Sequence, residues 1–211
     1  LPETLSKTHL DAIPLRTSNL NRRFGESMRA CGLQEVQSLT LSNERDQFEN
    51  VRWPQEEGMA LISNPITSEH TVLRQYILPS LLRLLAANRH HELPQRVYEL
   101  GTVVRRFKNY QRGAWACAGV GSGFTSSKGI AQAFLRDLGA EHDDVEFMPA
   151  EPGHGPWITG RGSLILIKGK EIGEFGEIAP EVSGIFGIKS PIQAGEIDLE
   201  RVRRLIPDPV S

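Results

Sequence analysis

The sequence predicts an α+β fold in which helices flank a mostly antiparallel sheet. Extended segments joined by short turns dominate the chain, and two of them form a hairpin through "KGKE", residues 168–171. Helical segments stand between the strands without a steady strand–helix alternation, which argues against a doubly wound parallel sheet. At 211 residues, the chain is long enough to bury a substantial core as one large domain or two small ones.

The first predicted helix spans residues 18–31. It follows a leading arm, residues 1–16, that contains two prolines and little periodicity, so that the main domain covers residues 17–211. Ser18 is the predicted N-cap, and Gly32 is expected to end the helix in a left-handed turn. The apolar stripe of this helix is formed by Leu20, Phe24, Met28 and Cys31.

The next segment is predicted to add two short strands. "EVQSLTLS", residues 35–42, carries Leu39 and Leu41 in the alternating pattern of a half-buried strand. "NERDQFEN", residues 43–50, reads as a short helix or a polar loop. "MALI", residues 59–62, reads as a strand that ends at Ser-Asn-Pro.

The stretch from residue 64 to residue 91 predicts a strand-to-helix corner. Residues 71–78 are extended and contain Arg74. Pro79 suits the first position of the following helix, because the N–H that proline lacks would have no partner there. The face that this helix buries is formed by Leu78, Leu81, Leu82, Leu85 and Ala86.

The second half of the chain alternates irregularly between strands and helices. "RVYELGTVVRRF", residues 96–107, is a strand in which Gly101 marks a bulge or a close backbone approach. A strand at 114–121 and a helix at 127–138, ended by Gly139, come next. The last predicted elements are strands at 144–149, 162–169, 171–178 and 192–198, a short helix opened by Pro180, and a closing helix at 199–205.

The charge of the chain limits its binding partners. A net charge of −2 disfavours strong stand-alone binding of nucleic acid, because proteins that grip RNA over a broad face are normally basic. One basic run is either an edge for a polyanion or, as such runs more often are, a solvated face. Its cations are Arg83, Arg89, Arg96, Arg105, Arg106, Lys108 and Arg112.

Cysteine usage and hydropathy are those of a cytoplasmic protein. Cys31 and Cys117 have no CxxC partner and are expected to be reduced, buried thiols. No apolar run approaches the ~20 residues of a membrane-spanning helix, and the first residues do not have the pattern of a secretory leader.

Three short motifs contain residue types that can bind phosphate or metal. "GVGSGF", residues 119–124, lacks the third glycine of a dinucleotide loop and reads better as a flexible loop than as a phosphate site. His90 and His91 lack the HExxH spacing and read as a surface pair at a helix end. His154 lies in a Gly/Pro loop that either lines a site or forms a structural turn.

Blocks along most of the chain resemble the β subunits of phenylalanyl-tRNA synthetases of the archaeal and eukaryotic type, in their catalytic-like C-terminal domain. The resemblance covers about residues 10–200, and the order of the blocks makes it specific. It implies a core like that of the class II aminoacyl-tRNA synthetases, in a chain that is a fragment of a longer β subunit. The blocks are "NP…S…LR…LPSLL", "ANR", "YELGTVV", "FTSSKGIAQAFLRDLG" and "GKEIGEFGEIAPEVSGIFGIKSPIQAGEIDLE".

The resemblance also implies where the class II motifs lie. The helix at 18–31 with its following strand resembles motif 1, which is used for subunit contact, and this makes Leu20, Phe24 and Met28 interface candidates. The strand at 96–107 resembles motif 2. Arg105 is at the arginine position of that motif, but Phe107 stands where its glutamate is expected.

Motif 3 departs from the pattern of a working enzyme. Glu200 and Arg201 match its final Glu-Arg pair, whereas Glu196 and Asp198 stand in place of two glycines. Those glycines let a nucleotide lie close to the backbone, and carboxylates there would crowd the nucleotide and repel its phosphates. Arg105, Glu200 and Arg201 are therefore vestigial nucleotide-site candidates, and no catalytic residue or metal ligand is assigned.

The function that the resemblance implies is structural. The domain is expected to dock on the α subunit within an α2β2 assembly that attaches phenylalanine to tRNA(Phe). ATP and Mg²⁺ serve the assembled enzyme, and this domain is expected to hold no cofactor. Two alternatives remain open. One is an enzyme domain that binds ATP and activates a carboxylate through Arg105, Glu200 and Arg201, and the other is an RNA-binding module that uses the basic run.

Overall fold

The computed structural model describes residues 15–207 as five helices and nine strands with two short helical turns. The turns are a π-helical turn at Arg45–Glu49 and a 3-10 turn at His142–Asp144. The helices are α1 (Arg16–Ala30), α2 (Leu78–Ala87), α3 (Phe124–Leu138), α4 (Pro180–Ile185) and α5 (Leu199–Leu205). The strands are β1 (Gln34–Glu35), β2 (Leu41–Ser42), β3 (Val72–Leu73), β4 (Gln95–Arg105), β5 (Lys108–Ala118), β6 (Val145–Pro149), β7 (Trp157–Ile167), β8 (Lys170–Ile178) and β9 (Ile192–Asp198).

Seven of these strands form one sheet in the order β1-β4-β5-β9-β8-β7-β6. Strands β1 and β4 run parallel, and every other neighbouring pair in the described sheet is antiparallel. Strands β2 and β3 form a separate antiparallel pair. The prediction of a mostly antiparallel sheet flanked by helices is confirmed.

Helices cover both faces of the sheet, and β5 shows how the sequence achieves this. Ala114, Ala116 and Ala118 are buried in a cluster with α2 and α4. Trp115 and Cys117 belong to a second cluster, where α1, α3 and α5 pack. Since successive side chains of a strand alternate between faces, a strand that is buried on both sides reads as a continuous apolar run.

Helix α1 begins at Arg16, two residues before the predicted start, and Leu15 occupies its cap position. The prediction of Ser18 as N-cap is therefore wrong. The guanidinium of Arg16 donates to the Ile206 carbonyl oxygen at 2.6 Å, which ties the start of α1 to the end of α5. The predicted leading arm, apart from its last two positions, lies outside the described residues. Gly32 follows the helix at φ 77°, as expected.

The segment from 35 to 62 forms less sheet than predicted. Residue 35 pairs in β1 and residues 41–42 pair in β2, and the predicted strand at 59–62 is reduced to a single bridge between Leu61 and Val72. The exposed fraction is 62 % for Leu39 and 36 % for Leu41, so the predicted half-buried face points outward instead. Ser38 explains the departure from the sheet, because its hydroxyl turns to Glu99 and Arg74.

Several predicted turns and helix boundaries are confirmed. Pro79 lies in the first turn of α2, and the predicted apolar face of that helix is buried. Strands β7 and β8 are joined through Lys168 and Gly169, both at positive φ, as a two-residue hairpin turn requires. Helix α3 starts at Phe124, three residues early, and ends at Gly139 with φ 92°.

Cys117 is a buried free thiol as predicted, whereas the free thiol of Cys31 is only half-buried. Burial raises the pKa of the Cys117 thiol to about 11. Within residues 15–207 no helix has both the length and the apolar character needed to cross a membrane.

Candidate functional site

The corner between β3 and α2 is held by a buried arginine. Arg74 donates to the Glu99 carboxylate at 2.7 Å, to the Ser38 hydroxyl at 2.8 Å and to the Thr102 carbonyl at 3.0 Å. Gly101 makes room for this guanidinium, since a Cβ there would lie 2.3 Å from an Arg74 nitrogen. The sequence predicts a bulge or a close backbone approach at Gly101, whereas the structure shows the Arg74 side chain packed against this glycine in a strand of unbroken register. Arg74 acts as a strut between the corner and β4.

The first turn of α2 is capped by Glu196, which lies on the neighbouring strand β9. One oxygen of Glu196 accepts from the backbone N–H of Ile77 at 3.0 Å and of Leu78 at 2.8 Å. The other oxygen contacts the guanidinium of Arg112. The carboxylate therefore satisfies backbone donors that a helix leaves unpaired and also meets the positive end of the helix dipole.

Burial sets the electrostatics of this pair. Glu196 is fully buried, and burial raises its pKa against the opposing effects of Arg112 and the two N–H groups. Burial by itself would lower the pKa of Arg112, but Glu196, Asp198 and other anions nearby raise it overall. A buried charge is tolerated only when it is paired and hydrogen-bonded, so neither residue can be removed without cost.

A second ion pair joins β4 to the start of α5. Arg105 lies 2.9 Å from the Glu56 carboxylate and 3.5 Å from that of Asp198. Asp198 also caps α5, where its carboxylate accepts from the backbone N–H of Arg201 at 3.0 Å. The ring of Tyr76 lies between the guanidinium groups, 5.7 Å from that of Arg105 and 5.3 Å from that of Arg112.

These groups enclose a cavity of about 150 Å³, which we name the closed cleft. Ligand pockets usually measure roughly 300–1,000 Å³, so the closed cleft is too small for a nucleotide. Its charged groups of opposite sign face one another, and the aromatic rings of Trp53 and Tyr76 complete the wall. The charged groups are Arg105, Arg112, His154, Arg201, Glu56, Glu171, Glu174 and Asp198.

His154, which the sequence left between a site and a turn, lies at the rim of the closed cleft. Its ring Nε2 is 3.4 Å from Glu174, whose other oxygen accepts from the indole N–H of Trp157 at 2.5 Å. The contact with Glu174 raises the pKa of His154. His154 therefore helps to hold Glu174 in the wall.

The three vestigial candidates are only partly brought together. Arg105 is buried in the closed cleft, and Arg201 lies at its mouth with half of its side chain exposed. Glu200 does not line the cleft and instead pairs with Arg203 at 2.7 Å. Arg112 lines the cleft, although the sequence places it only in the basic run. Arg112 lies opposite Asp198 in the β5–β9 pair, and this pairing cannot be read from the sequence.

The basic run between residues 83 and 112 does not form one edge. Arg105 and Arg112 are buried, and Arg83 makes two hydrogen bonds to Asp46, at 2.6 and 2.7 Å. Arg96 donates to the Cys31 carbonyl oxygen at 2.9 Å. Of the two readings of this run, the solvated face, which the sequence favours, describes Arg83, Arg89, Arg96, Arg106 and Lys108, which are exposed, whereas Arg105 and Arg112 are buried and take part in neither reading.

The predicted interface helix is also largely engaged inside the chain. Phe24 and Met28 are fully buried, and the ring of Phe24 packs edge-on against those of Tyr98 and Phe134. Leu20 is half-buried at the border of the same cluster. Phe24 and Met28 therefore cannot form a docking surface, because the apolar stripe of α1 covers the sheet and α3 of its own chain.

An apolar groove remains exposed on the other side of the sheet. It measures about 400 Å³ and lies between residues 38–42 and α2. Its wall also contains the paired Asp46 and Arg83 and six further polar residues, which are Ser38, Ser42, Asn43, Glu69, His70 and Ser80. Its apolar residues are Leu39, Leu41, Pro79 and Leu84, and we name it the apolar groove.

The remaining motifs bring no further chemistry together. Gly123 precedes α3 without a side-chain cap, and the Glu177 carboxylate lies beside it, where it would oppose a phosphate. His90 and His91 are both exposed, as expected of a surface pair. Among residues 15–207, no group of three or more His, Cys, Asp or Glu side chains is placed to hold a metal ion.

Comparison with known proteins places the chain in a family. Residues 1–199 match the family model described as the phenylalanyl tRNA synthetase beta chain CLM domain. The phenylalanine–tRNA ligase beta subunit of Pyrococcus furiosus is 40 % identical over 180 residues, which are 82 % of this chain and 31 % of that protein. The beta subunit of Methanopyrus kandleri is 39 % identical over 176 residues, 80 % of this chain and 29 % of that protein.

A third relative, the phenylalanine–tRNA ligase beta subunit of Archaeoglobus fulgidus, is 38 % identical over 176 residues, 82 % of this chain and 31 % of that protein. The chain thus spans about 30 % of the length of these curated relatives. The family match covers nearly the whole chain and agrees with the resemblance of its sequence blocks. The chain belongs to the family of phenylalanyl-tRNA synthetase beta chain CLM domains.

Proposed function

We propose that this chain is a non-catalytic docking domain of a phenylalanine–tRNA ligase β subunit. It has a class II synthetase-like core and supports the ATP-dependent attachment of phenylalanine to tRNA(Phe) by binding the α subunit in an α2β2 assembly in the cytoplasm. ATP and Mg²⁺ act in the assembled enzyme. The names of the relatives and the antiparallel sheet flanked by helices support this proposal.

The observation that carries the proposal is the closed cleft. Glu196 and Asp198, which stand in place of the motif 3 glycines, are turned inward as the caps of α2 and α5. Arg112 meets Glu196, and Arg105 lies 3.5 Å from Asp198. In the function that we propose, these pairs take up the space that a nucleotide would need. Arg105 and Arg112 pair with internal carboxylates and are therefore less able to balance the charge of a reacting triphosphate, whereas Arg201 at the mouth keeps half of its side chain exposed.

The apolar groove is the docking surface that we assign to the α subunit. Leu39 and Leu41 are exposed there beside Leu84, and exposed apolar residues that line one groove usually mark a binding surface. Leu39 and Leu41 belong to the strand that the resemblance assigns to motif 1, the element of subunit contact. The groove thus replaces Phe24 and Met28 as the proposed interface.

Co-expression with the α subunit tests this function. The wild-type chain should co-purify with α and elute as one complex in size-exclusion chromatography. The double variant Leu39→Asp/Leu41→Asp should lose the complex, because two carboxylates would have to be buried unpaired. The matched control Leu93→Asp/Ile185→Asp changes two leucine-sized side chains that are exposed elsewhere, and it should retain the complex.

The possible results separate the function from the surface. A wild-type chain that stays apart from α in mild salt would contradict the docking function itself. A complex that survives Leu39→Asp/Leu41→Asp but is lost in the control would refute the apolar groove alone. Circular dichroism of each variant excludes unfolding as the cause.

The rival function is an enzyme domain that activates a carboxylate by itself, and the presence of Arg105 and Arg201 at the cleft favours testing it. ATP–pyrophosphate exchange by the isolated chain distinguishes the two. We expect no exchange above background. A clear signal that is lost in Arg201→Ala would replace the docking proposal with the enzymatic one.

A further inference from the structure

Basic side chains gather where the β7–β8 turn meets α5. Residues 168–171 and 199–206 together hold five basic and two acidic residues, whereas the whole chain has a net charge of −2. The fold places these two segments side by side, since the guanidinium of Arg201 donates to the Glu171 carbonyl oxygen at 3.0 Å. This end of the molecule is therefore locally positive.

The two segments enclose a groove of about 410 Å³, which we name the basic groove. Its wall is formed by Lys170, Glu171, Arg201, Arg204 and Leu205. The ammonium of Lys168 lies at its edge, 3.5 Å from the Leu205 carbonyl oxygen. Four cationic side chains thus surround one open groove.

The cations of the basic groove differ in whether a carboxylate lies close to them. Lys168 lies 3.4 Å from Asp144, and Arg201 lies 3.5 Å from Asp198, so both are partly balanced. Within residues 15–207, Lys170 and Arg204 have no carboxylate or hydrogen-bond partner. The pairs fix the walls of the groove, and the other two cations remain available to a ligand.

Helix electrostatics explains only part of this arrangement. A cation in the last turn of a helix is favourable, which would account for Arg204. It does not account for Lys170, which lies on a different element and faces the same groove. No aromatic side chain lines the groove, so bases have no ring on which to stack.

We propose that the basic groove binds the phosphodiester backbone of RNA without reading its sequence. This proposal rests on the proposed function, because a tRNA is the polyanion that the assembled ligase handles. Phosphate contacts by lysine and arginine orient a nucleic acid and carry no sequence information. Four cations predict that the logarithm of affinity falls with the logarithm of salt concentration with a slope of about −3.

Charge reversal tests the groove. Fluorescence anisotropy with this chain would measure the binding of a labelled tRNA(Phe) transcript and of an unrelated single-stranded RNA at several salt concentrations. Lys170→Glu/Arg204→Glu should weaken the binding of both RNAs at least about tenfold at low salt. It should also reduce the slope of log affinity against log salt concentration by about two. The matched control Arg45→Glu/Lys108→Glu reverses one exposed Arg and one exposed Lys elsewhere and should bind almost as the wild type does.

Each other result overturns the proposal. Absence of RNA binding by the wild type at low salt, or equal losses in both double variants, would show that the groove is not an RNA site. Full competition by pyrophosphate at equimolar concentration would assign it to a small phosphate ligand.

Co-purification with α is measured on the same variants. If α binding is lost in Lys170→Glu/Arg204→Glu while RNA binding persists, the groove is a protein contact. If α never binds, the docking function fails and the RNA result still stands on its own.

Discussion

The closed cleft and the basic groove are neighbours that share Glu171 and Arg201, yet they use charge in opposite ways. Arg112, which lines the cleft, is buried and pairs with the fully buried Glu196, which does not line it. In the groove, Lys170 is exposed and has no partner among the described residues. Burial makes a charge pair costly to break, whereas an exposed cation contributes little to stability and remains free to meet a partner.

The comparison teaches how to separate structural from functional charges in this chain. A substitution at a buried charge pair, such as Glu196–Arg112 or Arg74–Glu99, should destabilise the fold, and one in the basic groove should change binding alone. Four predictions test this division.

The largest effect is expected at Glu196. Glu196→Ala leaves Arg112 buried without its partner and leaves two N–H groups of α2 unsatisfied. We expect the free energy of unfolding to fall by about 3–5 kcal/mol, measured by urea denaturation. Glu26→Ala is the control, because its pair with Arg22 is more than half exposed and should cost less than about 1 kcal/mol. If both variants lose a similar free energy of unfolding, the buried cap contributes no more to stability than a surface ion pair does.

A smaller effect is expected at the buried strut. Gly101→Ala forces a methyl group into the Arg74 guanidinium and should destabilise the chain by about 1–3 kcal/mol. The matched control is Gly129→Ala in the exposed middle of α3, where a Cβ meets nothing within 4 Å. It should instead stabilise the chain by up to about 1 kcal/mol, because alanine is the better helix former. Thermal melting distinguishes the two, and an unchanged melting temperature in Gly101→Ala would contradict the strut.

A weaker effect is expected for His154, at the rim of the cleft, in the pH dependence of the free energy of unfolding. Glu174 holds the pKa of His154 above its usual value, so protonated His154 stabilises the folded state. This stabilisation is fully present below the unfolded-state pKa of about 6.5 and is lost as the pH rises through the higher folded-state pKa. His154→Gln should remove that part of the pH profile of unfolding. A profile that keeps its shape in the variant would show that the contact with Glu174 contributes nothing.

The smallest effect on stability is expected for substitutions in the basic groove. Lys170→Ala/Arg204→Ala removes two cations that make no internal contact among the described residues. Its free energy of unfolding should stay within about 0.5 kcal/mol of the wild type. Urea denaturation checks this, and a loss above 2 kcal/mol would mean that the groove belongs to the structural charges after all.

Local signals predicted the elements of this fold well. The spacing of apolar residues after Pro79 predicts both α2 and its buried face, and the turn at Gly169 predicts the β7–β8 hairpin. A glycine inside a strand indicates a bulge or a close approach, and the Arg74 side chain packs against Gly101. Each of these inferences depends on residues that are near one another in the sequence.

The missed features depend on contacts between distant segments. The stripe that holds Phe24 and Met28 predicts burial, but it does not say that α3 of the same chain provides the cover. In the sequence Arg112 belongs to a basic run, but the pairing of β5 with β9 brings it to Glu196. Leu39 alternates like a strand residue, yet its segment leaves the sheet through the bonds of Ser38. Pairing register and the destination of a side chain are set by the whole fold.

The cap that Glu196 provides to α2 has a consequence for the history of such a domain. Exchange of Glu196 for glycine would leave two N–H groups of α2 without an acceptor and Arg112 buried without its partner. A tolerated change at this position therefore requires a simultaneous exchange of Arg112 and a new cap for α2. In the non-catalytic function that we propose, this interdependence makes Glu196 difficult to replace by single substitutions.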